Sequence, residues 1–422
     1  MTLSQRDKKY LWHPLTQHKT SPDSLAITRA KGALLYDDQG QEYIDGIASW
    51  YTSAYGHCHP VIVEKVKKQV ETLDQVVFAG LTHEPAVELS EKLVAILPSK
   101  QQKLFFSDNG STAVDVAIKM SLQYYFNQGE KRQVLIALEE GFHGDTFGAM
   151  SVSGLSVYNG PFEDFFLDVK RIPVPTSENK QAVLDQLKTI LEQYAVAAFI
   201  YEPLVQGAAA MKMHDAHGLD ALIGECHKQG VLTIADEVMT GFGKTGKNFA
   251  SLHLENQPDI ICLSKALTGG MVPMAITSCT LEVYNAFYSD DMSKGLFHGH
   301  TYSANPIACA AAIAGIDLLQ SQEMQQNIQR VIRSHKAFDQ RIKHHPKVAS
   351  TRQCGTIYAI DLAVNMERYG DLRKKMLDYF LANFLFMRPL GNTVYIASSY
   401  VITNQQLECI YQGIENLLDT VV

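Results

Sequence analysis

Through its middle the chain alternates short runs of apolar and β-branched residues with longer stretches whose apolar positions recur at helical spacing. Residues 104–107 (LFFS) read as a strand, followed by a helix from 111 to about 126. Further strands are expected at 134–138 (VLIAL) and 196–201 (VAAFIY). A helix over 220–229 precedes a strand at 231–235 (VLTIA), and 260–263 (IICL) is the next. This alternation predicts an α/β fold, with a largely parallel sheet covered by helices on both faces and ligands gathered at the carboxyl ends of its strands. A helix of small residues, 305–319, leads out of this region. Beyond it come a long polar helix, short strands near 355–360 and 393–396, and helices near 371–382 and 403–418. We therefore expect a large domain over 56–317, and a smaller α+β domain made from the N-terminal segment 1–55 and the C-terminal segment 318–422.

Composition narrows the function classes. The chain has 422 residues, is 46% hydrophobic, and carries 45 acids against 37 bases for a net charge of −8. Nothing in that balance, and no dense Lys/Arg block, favours a nucleic-acid or anionic-membrane partner. The seven cysteines are scattered without a CxxC pair, which reads as reduced thiols in a cytoplasmic protein. The first ten residues lack the apolar stretch of a signal peptide, and the longest small-apolar run, 306–316, is too short to span a bilayer. The cluster Gly56-His57-Cys58-His59-Pro60 invites a metal reading, but its ligands are too few for a site and Pro60 reads as a helix start, so no metal is expected.

The candidate chemistry sits at two strand ends. Asp236 closes the run VLTIA, and Lys265 closes IICLS before Thr268-Gly269-Gly270. An amine and a carboxylate at neighbouring strand ends suit pyridoxal phosphate: the amine forms a Schiff base and the acid keeps the pyridine nitrogen protonated. The segment SDNGSTAVDVAIKM (107–120) joins a strand to a helix through Asn109-Gly110-Ser111. Gly110 admits close approach of an anion, and the Ser111 hydroxyl with the first helix amides can bind phosphate. Phe142, after the next strand, can stack on a flat ring, and Val238 can cover the opposite face. Taken singly these have plainer readings: an N-capped helix, a core phenylalanine, a His143 that only bonds backbone.

ADEVMTGFGKTG (235–246) and CLSKALTGG (262–270) resemble the fold-type I, class III pyridoxal phosphate aminotransferases at their most diagnostic place, and the resemblance runs nearly end to end. It implies a mainly parallel seven-stranded sheet, with Asp236 on the pyridine nitrogen and Lys265 on the cofactor aldehyde. Gly110 and Ser111 match the phosphate turn, and Phe142 the stacking ring. Thr301 matches a threonine that reaches the phosphate of the neighbouring subunit, which implies a homodimer with active sites at the interface. His300 beside it joins the cofactor-binding set, and His298 reads as a pocket or interface residue.

WHPLTQ (12–17), YIDGIASWY (43–51), FHGDTFGAM (142–150), FHGHTYSANPIACAAA (297–312) and FMRPLGNTVYI (386–396) are together similar to the biotin-pathway branch of that family, which aminates 8-amino-7-oxononanoate to 7,8-diaminononanoate. That likeness implies substrate contacts at Trp50, Tyr51, Phe142, Lys265, Gly299, Arg388 and Tyr395, with Arg388 on the carboxylate. An aromatic wall suits the apolar chain of this keto acid, and an arginine fork suits its acid. In EPLVQGAAA (202–210) Ala208 stands where the ornithine and 4-aminobutyrate branches carry a glutamate able to pair with the arginine. Leu15, Phe142 and Lys244 depart from the branch's usual aromatic, tyrosine and arginine. The first two remove hydroxyls near the amino donor, so S-adenosylmethionine and lysine both stand as donors. Another class III ω-aminotransferase, acting on a diamine or ω-amino acid, is the alternative enzyme. A non-catalytic cofactor-binding protein is the alternative outside enzymes.

Overall fold

Seven apolar runs pair into one sheet. In chain order they are β1 (Gln101–Ser107), β2 (Val134–Leu138), β3 (Val169–Ile172), β4 (Val196–Tyr201), β5 (Leu232–Asp236), β6 (Ile260–Leu263) and β7 (Ala275–Thr280). The structure is a computed structural model that describes residues 1–156, 159–364 and 371–421. The strand order is β1-β7-β6-β5-β4-β2-β3. β5 runs parallel to β4 and β6, and β2 parallel to β3 and β4. β7 is antiparallel to both its neighbours.

Every residue of β2, β4, β5 and β6 is buried, as a parallel sheet with two covered faces requires. Side chains alternate between the faces. Ala198, Ile200, Ile234 and Cys262 meet Val114 and Ala117 of helix Gly110–Asn127. Phe199, Tyr201, Ala235 and Ile261 face the opposite layer, with Leu222, Leu267 and Ile313.

The chain ends meet beside this body. Ile27–Lys31, Leu34–Asp37 and Glu42–Asp45 form an antiparallel meander, and Leu385–Phe386 joins it parallel to Glu42–Asp45. Val348–Cys354, Ile357–Leu362 and Thr393–Ile396 form a separate antiparallel sheet. Phe338, Tyr358, Ile360, Phe380 and Ile410 belong to a core of their own. We propose that these two sheets, with residues 1–55 and 318–422, constitute the smaller domain.

The expected elements recur with shifted ends. The helix expected from 220 begins earlier, as Ala216–Lys228, because Asp215 Oδ1 accepts the Gly218 N–H at 2.7 Å and caps it. β3, β7 and Val348–Cys354 were not among the expected strands.

Candidate active site

β5 and β6 are in register with Asp236 opposite Cys262. Asp236 therefore ends its strand beside the turn that carries Lys265 out of β6. Asp236 is buried; its Oδ2 lies 2.8 Å from His143 Nδ1 and its Oδ1 accepts the Val238 N–H at 3.1 Å. The plain reading of His143 as a backbone-bonding histidine is thus corrected: its ring holds the carboxylate. Lys265 sits at φ +45°, in the left-handed region. Its Nζ makes no hydrogen bond or ion pair among the described residues and stands 5.4 Å from the centroid of the Tyr51 ring. Burial lowers the Lys265 pKa, while the charges of Asp236 and Glu202 oppose that shift.

Glu202, just beyond β4, was assigned no role from sequence. It is buried, accepting the Phe142 N–H at 3.0 Å and the Gly207 N–H at 2.9 Å. Burial pushes its pKa up to about 7, against the charge of His143. The contact through the Phe142 amide fixes the loop whose Phe142 ring is 43% exposed. That ring is open to a ligand and is not a core side chain.

Helix Gly110–Asn127 starts one turn after β1, capped by Asn109, whose Oδ1 accepts the Thr112 N–H at 3.0 Å. A Cβ on Gly110 would come within 2.9 Å of Val238 Cγ1, so only glycine fits there without displacing Val238. Val238 is therefore packed against the phosphate-turn candidate and next to Asp236. Ser111 Oγ lies 2.7 Å from Thr146 Oγ1 and accepts the Thr146 N–H at 3.0 Å. A Cβ on Gly144 would collide with Ser111. Gly110, Ser111, Phe142, His143, Asp236, Val238 and Lys265 are thus linked by direct contacts or by adjacent turns at one end of the sheet.

A second group adjoins them. Ala48, Ser49, Trp50 and Tyr51 all have positive φ (46°, 45°, 56° and 73°), a single left-handed turn that costs about 1–2 kcal/mol per residue. The Tyr51 hydroxyl lies 3.2 Å from that of Tyr395, and the Arg388 guanidinium stands 5.0 Å from the centroid of Trp50. Arg388 makes no ion pair among the described residues. Burial lowers its pKa, with the charge of Arg373 adding to the shift. Burial pushes Tyr395 up to about 12.

Gly299 and Thr301 are exposed and lie outside the helices, and the Thr301 carbonyl accepts from Gln75 Nε2 at 2.9 Å. His300 Nε2 lies 3.3 Å from Asp108 Oδ1, beside the end of β1. His298 Nδ1 is 3.0 Å from Lys119 Nζ. In the Gly56–Pro60 cluster, His57 pairs with Asp45, and His59 Nδ1 accepts the Val61 N–H to cap helix Pro60–Val70. Lys244 is fully buried, its Nζ has no hydrogen-bond partner, and burial lowers its pKa to about 7. Among the described residues no helix is long and apolar enough to cross a membrane.

The donor set fits a flat, anionic, aldehyde-bearing cofactor: the first helix amides, a buried carboxylate with a fixed histidine, an open aromatic face and a half-buried amine without a hydrogen bond among the described residues. The family profile Aminotransferase class-III matches residues 16–418. Adenosylmethionine-8-amino-7-oxononanoate aminotransferase of Synechococcus elongatus is 43% identical over 421 residues, covering 98% of this chain and 99% of that protein. The enzyme of the same name from Staphylococcus aureus is 34% identical over 443 residues, covering 99% and 98%. The crystal structure of the Methanocaldococcus jannaschii enzyme of that name matches with a TM-score of 0.93 at 32% identity, covering 98% of each chain. An omega transaminase from Pseudomonas jessenii in complex with PMP matches with a TM-score of 0.91 at 27% identity, covering 100% of this chain and 98% of that one.

Proposed function

Because this chain belongs to the class-III aminotransferases, we propose that it is the pyridoxal phosphate enzyme that converts 8-amino-7-oxononanoate to 7,8-diaminononanoate in biotin biosynthesis, with S-adenosylmethionine as amino donor. The observation that carries the substrate reading is Arg388. It is a half-buried cation with no acidic partner among the described residues, set over Trp50 beside the Tyr51–Tyr395 pair. A long keto acid ending in a carboxylate supplies what that arrangement lacks.

Gly110, Ser111 and the first helix amides would hold the cofactor phosphate, Phe142 and Val238 would flank the ring, and Asp236, steadied by His143, would hold the ring nitrogen. Lys265 would carry the covalent attachment. Bound there, the cofactor supplies an electron sink for the carbon that gives up or receives the amine. Displaced from that attachment by the incoming donor amine, Lys265 Nζ would be free to take the proton from the donor carbon and to return a proton to the acceptor carbon, which its burial-lowered pKa favours. Arg388 donates to the acceptor carboxylate, and Trp50 and Tyr51 exclude water along its chain. Donor and acceptor use the pocket in turn, so double-reciprocal plots of initial rate against acceptor at fixed donor levels are expected to be parallel.

We also propose a cytoplasmic homodimer in which the exposed segment of Gly299, His300 and Thr301 completes the partner's site. The test of the whole reading is a stepwise reaction. Yellow holoenzyme is mixed with S-adenosylmethionine or with lysine, and the loss of its visible absorbance is followed. 8-Amino-7-oxononanoate is then added, and 7,8-diaminononanoate is measured. Bleaching by S-adenosylmethionine followed by product is the expected result. Bleaching by lysine alone would move the donor, in keeping with the missing hydroxyls at Leu15 and Phe142. Turnover only with simple keto acids would overturn the acceptor.

A further inference from the structure

Asp45 is almost fully buried, yet neither it nor His57 has a part in the chemistry above. Its carboxylate holds the left-handed turn at three points: Oδ1 accepts the Ile47 N–H at 3.1 Å, and Oδ2 accepts the Ser49 N–H at 2.8 Å and the Ser49 hydroxyl at 3.3 Å. His57 Nε2 lies 2.8 Å from the same Oδ2. His57 is itself fixed, because its backbone exchanges two hydrogen bonds with Gly32, at 3.0 and 2.8 Å. The turn is also sewn to the strand Leu385–Phe386, which ends two residues before the arginine. Asp45 is the register partner of Phe386, the Gly46 N–H donates to the Phe386 carbonyl at 3.1 Å, and a Cβ on Gly46 would collide with Met387. Four successive left-handed residues are not a conformation that Ala, Ser, Trp and Tyr adopt unaided. The turn persists because a buried, histidine-backed carboxylate caps its amides.

We infer that the Asp45–His57 pair is a positioning device for the aromatic wall, setting the enzyme's grip on the acceptor without acting on the proton transfer at Lys265. The turn presents Trp50 to Arg388 and Tyr51 to both Tyr395 and Lys265. Replacing Asp45 by asparagine removes the charge and one of the two acceptor oxygens, so the turn relaxes towards right-handed geometry and Trp50 leaves the guanidinium. Replacing His57 by glutamine retains a side-chain N–H for Asp45, so it relaxes the turn less.

The inference rests on the acceptor reading for its kinetic arm, and has a second arm that does not. The chain has two tryptophans, so in a Trp12→Phe background Trp50 is the sole indole reporter. Holoenzymes of that background, alone and with Asp45→Asn, His57→Gln or His57→Ala, are compared by acrylamide quenching and by the two half-reactions. With Asp45→Asn, quenching of Trp50 is expected to rise and the KM for 8-amino-7-oxononanoate to rise about tenfold, while the donor half-reaction rate at saturating donor stays within about twofold. His57→Gln is expected to fall nearer the background protein than His57→Ala, and these two decide the matter if Asp45→Asn does not fold. Unchanged Trp50 quenching overturns the inference, as does an equal loss in both half-reactions. If another keto acid proves to be the acceptor, the quenching arm alone decides.

Discussion

Two lysines, Lys244 and Lys265, share this interior, and burial lowers the pKa of both. Their circumstances differ in what surrounds the amine. Lys265 stands within the influence of Asp236 and Glu202, and Lys265→Ala is expected to abolish the yellow absorbance and to lower turnover by at least about 10³-fold, measured on protein reconstituted with excess cofactor. Lys244 has no hydrogen bond, and its pKa of about 7 lies below the ordinary 10.5. Between those values the unfolded chain binds more protons than the folded one, so this residue makes stability rise with pH. Lys244→Met should therefore raise the melting temperature by a few degrees near pH 7, and the gain should shrink as pH approaches 10. A gain that grew with pH would contradict the assignment. The pairing of Asp236 with Lys265 was legible because both side chains close apolar runs. The contacts of His143, Glu202 and Asp45 were not, because each depends on a partner from a distant segment and on burial that no local pattern displays.

Among the elements, legibility followed apolar content. β2, β4 and β6 are continuous apolar runs and were read directly. β7 is AITSCT, wholly buried but rich in hydroxyls. Thr277 donates to the Ala113 carbonyl and Ser278 to Gln101 Oε1, each at 2.8 Å, so polar residues that look solvent-facing are satisfied inside. β3, VKRI, is an edge strand with only Ile172 buried. Val348–Cys354 is equally unmarked, with no fully buried residue. A helix start at 111, one residue past its true start at Gly110, was legible after the Asn-Gly-Ser turn, but the reason that glycine stands there was not, since it is the side chain of Val238 on another turn. Gly110→Ala should push Val238 from its place and weaken cofactor retention at least about tenfold, with a smaller effect on folding, read as the fraction of holoenzyme after dialysis. Retention equal to the parent would mean that the turn does not serve the phosphate.

For the whole molecule, the segment around Thr301 poses the remaining question, because Gly299 and Thr301 are exposed and large apolar side chains lie near them in sequence: Phe297 is 72% and Tyr302 60% exposed. A surface of that kind suits contact with a second copy of the chain. Subunit mixing separates a threonine that serves its own site from one that serves the partner's. One inactive parent carries Lys265→Ala and the other Thr301→Arg. In a mixed dimer with the threonine acting across the interface, one site carries both lesions and the other carries neither. A random equal mixture should then recover roughly one quarter of the activity of the unsubstituted enzyme, since about half the dimers are mixed and each has one intact site. If Thr301 acts within its own chain, every site in the mixture keeps one lesion and no activity returns. Sedimentation of each parent, as dimers under the assay conditions, makes the recovered fraction interpretable, and the recovery itself reports whether the catalytic site is built from two subunits.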